Sequence, residues 1–340
     1  MAIGDIGAVI DTLEFDPGTG RNPCVVHVSA DVYAIAYRGP DNHGWLCTVE
    51  ILANGQIGAA TIDTLEFDGV AAFYQTITHM SGNIYGIAYC DGFYGTGAHG
   101  WVCSVEILAN GQIGAAIIDS LEFAPVEGEQ PSIIRVADTV CAIAVGGPDY
   151  DGWVYSVEIL GNGQIGAAPI DSLEFELSEG FACRLIHISG DIYAVVYSKS
   201  DDGWCRTFEI LANGQIGASV IDTLNYETVI SDHFTPTITH VGTNVYAVSY
   251  RHAVPGLMCT FKIENDGQIG AAVLGTLAFD LVSASAPWII HVSGGVCAIG
   301  YMGPDSDGWL CSMEVDLVGL ALLQDKSPGM AAKLVAGKLI

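Results

Sequence analysis

Basic residues are scarce in this chain of 340 residues. Lysine and arginine together number 11, against 39 aspartates and glutamates, and the formal net charge is −28. Such a surface repels phosphate backbones and anionic lipid headgroups, which argues against binding to nucleic acid or to a membrane surface. Solubility, or adaptation to a saline habitat, is the alternative explanation of the excess acid.

Long apolar runs and helical periodicity are missing as well. Half of the residues are hydrophobic, so a sizeable core can form. The longest apolar stretch near the C-terminus, residues 317–323, is far shorter than the roughly 20 residues that span a bilayer. The first residues lack the basic start and apolar centre of a signal peptide. No segment repeats apolar residues every 3.6 positions, which argues against a helical solenoid.

Paired cysteine motifs are absent, although the chain contains 10 cysteines. No Cys-x-x-Cys occurs, so neither a structural zinc site nor any other cofactor is expected. Five cysteines share one position of an internal repeat, and such positions lie too far apart for a disulfide. These are Cys47, Cys103, Cys205, Cys259 and Cys311. We expect unpaired, buried thiols, which favour the cytoplasm or an anoxic environment.

What the chain does have is a repeat. The phrase Gly-Gln-Ile-Gly occurs five times, and an imperfect copy starts at Gly4, with intervals of 51 to 56 residues between copies. Each repeat contains four short apolar runs rich in strand-forming residues, separated by turn-forming residues. In the unit 131–175 the runs are residues 131–136, 140–145, 153–159 and 170–175. Four strands in about fifty residues predict one blade of a β-propeller.

The number of innermost strands gives the number of blades. These strands end near His27, His79, Arg135, His187, His240 and His291. We therefore predict an all-β, six-bladed β-propeller with four antiparallel strands per blade over residues 1–316. A tail, residues 317–340, follows it, with a short helix predicted at 328–339. The chain opens with a fourth-type strand, residues 9–15, which we predict to complete the last blade and close the ring. A monomer is expected.

The loop Pro-Asp-x-x-Gly-Trp is the main candidate for a binding site. It recurs at residues 40–45, 148–153 and 304–309, with a degenerate copy at 200–204. An indole beside carboxylates suits a sugar, because the ring stacks on the pyranose and the carboxylates accept hydroxyl protons. Calcium is a second candidate ligand. In a purely structural interpretation, the aspartate starts the turn and the tryptophan packs between blades. The residues concerned are Asp41, Trp45, Asp149, Asp151, Trp153, Asp201, Trp204, Asp305, Asp307 and Trp309.

Histidines supply the remaining candidates. The five that end innermost strands could form a ring around the axis, or each could bond the backbone of the neighbouring blade. His233 and His252 depart from the repeat and fall in loops of the fifth blade, where the Pro-Asp loop is replaced. These two make blade five the place for a specialised site. No Ser-His-Asp or Cys-His constellation of non-repeated residues is evident.

The whole body resembles the β-propeller superfamily, on its repeat length, four-strand unit and shared closure. It also distantly resembles six-bladed fucose-binding lectins, which have the same blade number and a tryptophan in each blade, although the recurring arginine of their sugar sites is absent here. We predict a non-catalytic binding module for a glycan or a protein. Its binding surface is expected on the face with the variable loops. The alternative is a hydrolase or lyase with its site near blade five and the channel mouth.

Overall fold

A computed structural model describes residues 10–93, 97–228, 236–252, 255–282, 284–303 and 308–317. Within these residues, 23 strands form six antiparallel sheets. Each sheet is one blade, and its strands pair in chain order. The predicted all-β, six-bladed propeller is confirmed. No helix in the described part of the chain has the length and hydropathy needed to cross a bilayer.

The first three blades have four strands each. Blade 1 comprises β1 (Arg21–Ser29), β2 (Val32–Arg38), β3 (Gly44–Glu50) and β4 (Asp63–Asp68). Blade 2 comprises β5 (Phe73–His79), β6 (Ile84–Cys90), β7 (Gly100–Glu106) and β8 (Asp119–Ala124). Blade 3 comprises β9 (Glu129–Ala137), β10 (Val140–Gly146), β11 (Gly152–Glu158) and β12 (Asp171–Glu176). The strands of blade 3 lie within two residues of the four predicted runs.

The last three blades follow the same plan. Blade 4 comprises β13 (Phe181–Ser189), β14 (Ile192–Lys199), β15 (Asp202–Glu209) and β16 (Asp222–Glu227). Blade 5 comprises β17 (Thr237–Gly242), β18 (Val245–Arg251), β19 (Gly256–Lys262) and β20 (Gly275–Asp280). Blade 6 comprises β21 (Ser285–Ser293), β22 (Val296–Met302) and β23 (Gly308–Glu314). Short 3-10 turns, Pro40–Asn42 and Pro148–Tyr150, precede β3 and β11.

The hydrophobic core lies between blades, because both faces of most sheets are covered. One buried cluster joins blades 1 and 2, for example, through Leu46, Phe67 and Tyr89. Similar clusters fill the boundaries from blade 2 through to blade 6. This arrangement explains why the inner strands read as nearly continuous apolar runs.

The repeated phrase Gly-Gln-Ile-Gly is a clamp between neighbouring blades. Its first glycine has a φ of 85° to 88°, the left-handed region that glycine adopts at no steric cost. The carbonyl of Gly111 accepts a hydrogen bond from Thr48 Oγ1 of the preceding blade at 2.6 Å. The N–H of Ile113 donates to Asp63 Oδ2 of that blade at 2.9 Å. Selection for this clamp accounts for the repetition without any ligand.

Residues 10–15 contact blade 1 in the way that the outer strand of each blade contacts the next blade. The N–H of Ile57 donates to Asp11 Oδ2 at 3.0 Å, as the corresponding isoleucines do at the later boundaries. The ring of Phe15 packs edge-on against Tyr37, with centroids 5.0 Å apart. The side chain of Leu13 packs on the same cluster of blade 1.

The sixth sheet has three strands in the described part of the chain. Residues 10–15 are described without strand pairing, so their pairing with β23 stays a prediction. Leu310 on β23 is 58% exposed and Val25 on β1 is 56% exposed. Their counterparts Leu46 and Ile77 are 0% and 7% exposed. Among the described residues, the boundary between blades 6 and 1 is therefore the least packed.

The cysteines are all free, as expected, and eight of the ten are buried. Burial raises the pKa of the thiols, to about 12 at Cys47 and Cys141, so they remain protonated at neutral pH. The helix predicted at residues 328–339 lies outside the described residues, as does most of the tail.

Candidate ligand-binding site

The Pro-Asp loops of blades 1 and 3 form tight turns that expose Asp41 and Asp149. Asp41 has a φ of 56° and Asp149 a φ of 57°, and the residue after each is also left-handed. Aspartate and asparagine tolerate this conformation better than most residues. In the degenerate copy, Ser200 and Asp201 have φ values of 48° and 65°. The turn geometry alone accounts for the recurrence of aspartate in these loops.

The indoles of these loops pack inward. A Cβ atom added to Gly39 would lie 2.3 Å from Trp45, and one added to Gly147 would lie 2.4 Å from Trp153, which explains the glycine before each Pro-Asp pair. The ring nitrogens of three indoles are buried without a hydrogen-bond partner: Trp45, Trp153 and Trp204. Trp309 packs on Gly303 in the same way but is 52% exposed. The three half-buried indoles fit a packing role better than a sugar platform.

In blades 1 to 4, an acidic or polar residue of the outermost strand faces the loop before the third strand. His43 contacts Glu66, and His99 Nδ1 lies 2.8 Å from Glu122 Oε1. In blade 3 the corresponding residues are two carboxylates, Asp151 and Glu174. Burial and the neighbouring Asp151 raise the pKa of Glu174. No group of three or more His, Cys, Asp or Glu suited to a metal occurs among the described residues. The calcium hypothesis concerns in part Asp305 and Asp307, which lie outside them.

The predicted blade-five site is described only in part. His252 Nδ1 lies 3.6 Å from Glu227 Oε2, and this ring nitrogen is buried without a hydrogen bond. The other histidine of the prediction, His233, lies outside the described residues. Glu227 itself accepts a hydrogen bond from Tyr250 Oη at 2.9 Å.

The repeated histidines fasten hairpins inside their own blades. His27 Nε2 lies 2.9 Å from the carbonyl oxygen of Ala30, in the turn between the first two strands. His79, His187 and His291 make the same contact. The expected bond to a neighbouring blade was therefore wrong for these histidines, because the hairpin turn offers a nearer carbonyl. Only Arg135 in this set is described reaching across, to Met80 O at 2.7 Å.

A β-bulge opens the innermost strand of five blades. At each bulge one residue has a φ between 47° and 54° although none is glycine: Asn22, Tyr74, Gln130, Ala182 and Ala286. The pairing register shifts at the same places. A bulge bends its strand and re-aims the side chains beside it. Here it directs the first residues of the innermost strands toward the central channel.

A cavity of about 610 Å³ lies at the end of the channel where these bulges occur. Every blade contributes to its wall. The lining includes Asn22, Cys24, Tyr74, Gln75, Gln130, Arg184, Thr237 and Trp288, with Phe93 from the β6–β7 loop. The participation of that loop places the cavity on the face with the variable loops. The volume lies within the range of about 300–1,000 Å³ that is usual for small-molecule sites.

One position of the innermost strands, three residues before the repeated histidine or Arg135, has a structural role in four blades. There a hydroxyl or thiol ties its blade to the next one. Thr76 Oγ1 accepts from Ile133 N at 3.1 Å, and Thr237 Oγ1 from Ile289 N at 3.0 Å. Ser132 accepts from Leu185 N at 3.1 Å, and Cys24 is bonded by the Ile77 backbone. The two remaining blades place Arg184 and Trp288 here, and neither side chain can repeat this tie.

These two exceptions contact each other. The guanidinium carbon of Arg184 lies 4.7 Å from the centroid of the Trp288 ring, which joins blade 4 to blade 6 through the channel. Burial lowers the pKa of Arg184, and its Nε is buried without a hydrogen-bond partner. Trp288 is 46% exposed. The pair offers an accessible aromatic surface and an incompletely bonded cation side by side.

The sequence interpretation did not single out Arg184 or Trp288. The repeat contains a signal for both residues. Each lies three residues before the repeated histidine of its blade, at the position where other blades have a small residue that bonds the next blade. Variable residues at a position where other blades keep a small hydrogen-bonding residue mark a change of role. The cavity lies at the variable-loop end, and ligand binding on that face stays a prediction.

Comparisons with known proteins concern the fold. No protein-family model matches the chain, and no curated protein is similar to it in sequence. The structure is similar to the periplasmic gluconolactonase PpgL of Pseudomonas aeruginosa, with a TM-score of 0.58 and 14% identity over 87% of this chain and 86% of that one. It is also similar to a mutant of AofleA from Arthrobotrys oligospora, with a TM-score of 0.54 and 10% identity over 86% of this chain and 83% of that one.

A third similar structure is the WD40 domain of Toxoplasma gondii coronin. Its TM-score is 0.52 and its identity 11%, over 86% of this chain and 70% of that one. At such identities the likeness concerns architecture, and a shared fold hosts many unrelated functions. The chain is thus a six-bladed β-propeller whose blades are arranged like those of proteins with diverse activities.

Proposed function

We propose that this propeller is a non-catalytic binding module that takes one small, hydroxyl-rich ligand, such as a glycan terminus, in the channel cavity. The observation that carries the proposal is the stacked pair Arg184 and Trp288 in a cavity bounded by all six blades. Both residues stand where other blades keep an inter-blade tie. Arg184 and Trp288 each replace a residue that would form a stabilising hydrogen bond between blades. A contribution to ligand binding explains this loss.

The chemistry of the wall supports a sugar-like ligand. The half-exposed indole of Trp288 offers a flat apolar face on which a pyranose ring can stack. Gln75 and Gln130 line the cavity with amide groups, which can bond sugar hydroxyls, and the Oε1 atom of each is buried without a hydrogen-bond partner. A concave site of this size favours a small ligand over a protein surface, which prefers broad contact areas.

A glycan array, followed by titration of the sugars that bind, tests the proposal. We expect Trp288→Thr to abolish binding and to fold normally, since Thr is the residue of the corresponding blade-2 position. The control, Trp153→Phe, retains the packing of a loop indole and is expected to bind as well as the wild type. A silent array would contradict the function. Loss of binding in Trp153→Phe alone would favour the loop site instead.

The enzyme alternative has one observation in its favour. His252 Nδ1 lies 3.6 Å from the Glu227 carboxylate, an approach that suits a general base held by an acid. Hydrolysis of gluconolactone, the substrate named for one fold neighbour, is the direct assay. Turnover that His252→Ala abolishes, with an unchanged melting temperature, would establish an enzyme in place of a binding module.

A further inference from the structure

Building on the binding function proposed above, we infer that the ligand carries a carboxylate, as in an acidic sugar, and that Arg184 binds this group. Arg184 is available for such a contact because of how it is packed. Its guanidinium carbon lies over the Trp288 ring, 4.7 Å from the ring centroid. The face of an indole offers no strong hydrogen-bond acceptor, so the N–H donors of the guanidinium remain for a carboxylate, which can accept two of them.

The surroundings of Arg184 lack the expected counter-charge. No carboxylate of the described residues lies within ion-pair distance of it, and its Nε has no acceptor. The ionisable neighbours that act on its pKa are the thiols of Cys24 and Cys183. Burial lowers the pKa of Arg184, because removing the charged guanidinium from water is unfavourable when no opposite charge pairs with it. An anionic ligand group would supply the missing charge.

The contrast with another basic pair in the same blade sharpens this reading. Lys199 and Arg206 lie 2.8 Å and 3.0 Å from the two carboxylate oxygens of Glu176. Acids outnumber bases by more than three to one in this chain, so a basic residue readily finds a partner. An arginine of the channel wall that stays without one is therefore an exception that needs a separate explanation.

A second incompletely bonded guanidinium belongs to Arg38 of blade 1, near the cavity-lining Tyr74. Arg38 is 8% exposed, stacks on Phe73 at 4.8 Å and has a buried Nε without a partner. Burial and the nearby Arg21 lower its pKa. Arg38 lies beside Tyr74, which lines the cavity. Tyr74 also interacts electrostatically with the carboxylate of Glu129. A second incompletely bonded guanidinium thus lies next to a residue of the cavity wall.

The test compares galacturonate with galactose, which differ at the charged group, in calorimetric titrations of the full chain. We expect galacturonate to bind at least tenfold more tightly. Arg184→Thr should weaken its binding roughly ten- to a hundredfold, the effect of losing a charge-assisted bidentate contact. Galactose, which has no charged group, should lose less affinity than galacturonate in this variant. Threonine is the residue of the equivalent position in blades 2 and 5, so the fold should tolerate it.

The matched control is Arg135→His, which also replaces an arginine by the residue that other blades carry at that position. Arg135 bonds Met80 O near the opposite end of its strand. Its replacement should leave the preference for galacturonate intact. Melting curves of both variants report whether the ring is preserved.

The outcomes separate this inference from the proposed function. Equal affinity for the two sugars, or an unchanged preference in Arg184→Thr, would overturn the carboxylate assignment and leave the binding function standing. Absence of binding by either sugar, together with a silent glycan array, would overturn both. A preference lost in Arg184→Thr and kept in Arg135→His would support the assignment.

Discussion

The hydroxyl of Tyr197 donates a hydrogen bond to Glu176 Oε2 at 2.8 Å, across the boundary between blades 4 and 3. The same tyrosine–acid contact recurs at other boundaries, with Tyr89 on Asp68 at 3.0 Å and Tyr250 on Glu227 at 2.9 Å. Between blades 2 and 3 the corresponding positions hold Ala124 and Val145, both buried. The acid and the tyrosine are thus absent together at this boundary, which indicates that the role of each is the hydrogen bond to the other.

Replacing this tyrosine tests the value of the inter-blade bond. We expect Tyr197→Phe to lower the free energy of unfolding by about 1–2 kcal/mol, because a buried carboxylate oxygen loses a donor. Tyr193→Phe is the matched control in the same strand, since its ring packs on His187 and its hydroxyl has no described partner. Equal losses in the two variants, measured by urea unfolding, would contradict the account.

Glu176 should give the fold a specific dependence on pH. Burial alone raises its pKa, but Lys199, Tyr197 and Arg206 together hold the pKa below its usual value. A lowered folded-state pKa stabilises the fold above the ordinary carboxyl pKa of about 4.3, and this contribution is lost as the pH falls through the folded value. Both cations would then be left without their acceptor.

The variant Glu176→Gln isolates this contribution. It should cost about 3 kcal/mol at pH 7, as expected when one member of a buried ion pair is removed. The difference from wild type should narrow as the pH is lowered from 5 toward 3. Thermal melting over that range is the measurement, and a difference that stays constant with pH would show that the carboxylate charge is not responsible.

The glycine before each Pro-Asp loop should be intolerant of a side chain. A Cβ at Gly147 would lie 2.4 Å from Trp153, so Gly147→Ala should displace the indole and destabilise the protein by about 1–3 kcal/mol. Gly161 in the same blade meets nothing nearer than 3.5 Å, and Gly161→Ala should be nearly neutral. Tryptophan fluorescence and melting temperature report both effects. Neutral behaviour of Gly147→Ala would argue that the indole is free to move outward.

The N-terminal segment should matter through residues 10–16. Deleting residues 1–16 removes Asp11 and Phe15 from blade 1 and the strand predicted to complete blade 6. We expect a lower melting temperature and self-association through the unpaired edge of β23. Deletion of residues 1–9 leaves those contacts in place and is the control. A monomer with unchanged melting after the longer deletion would refute the closure.

Much of the architecture was predictable because it is repeated. A period of about fifty residues, glycine at left-handed turns and apolar inner strands each recur several times, so chance matches are averaged out. The role of the histidines was only half predictable. Sequence indicated a structural bond, but whether His27 reached its own turn or the next blade depended on distances that spacing does not encode.

The residues that line the channel cavity were not predicted, for a physical reason. Side chains of a regular strand alternate between faces, whereas the bulges at Tyr74 and Ala182 re-aim those beside them. None of the bulged residues is glycine, so no turn signature marks them in the sequence. The loop tryptophans drew attention by repetition, yet repetition is also what a packing role produces. Arg184 and Trp288 break the repeat, and only their meeting in the channel gives that break a meaning.

The most direct test is an NMR titration that follows the six indole N–H signals, assigned by single Trp→Phe variants, as galacturonate is added. The account predicts that the Trp288 signal shifts while those of Trp45, Trp153 and Trp204 stay in place, with saturation at one ligand per chain. Shifts at the three loop indoles with an unmoved Trp288 would contradict it.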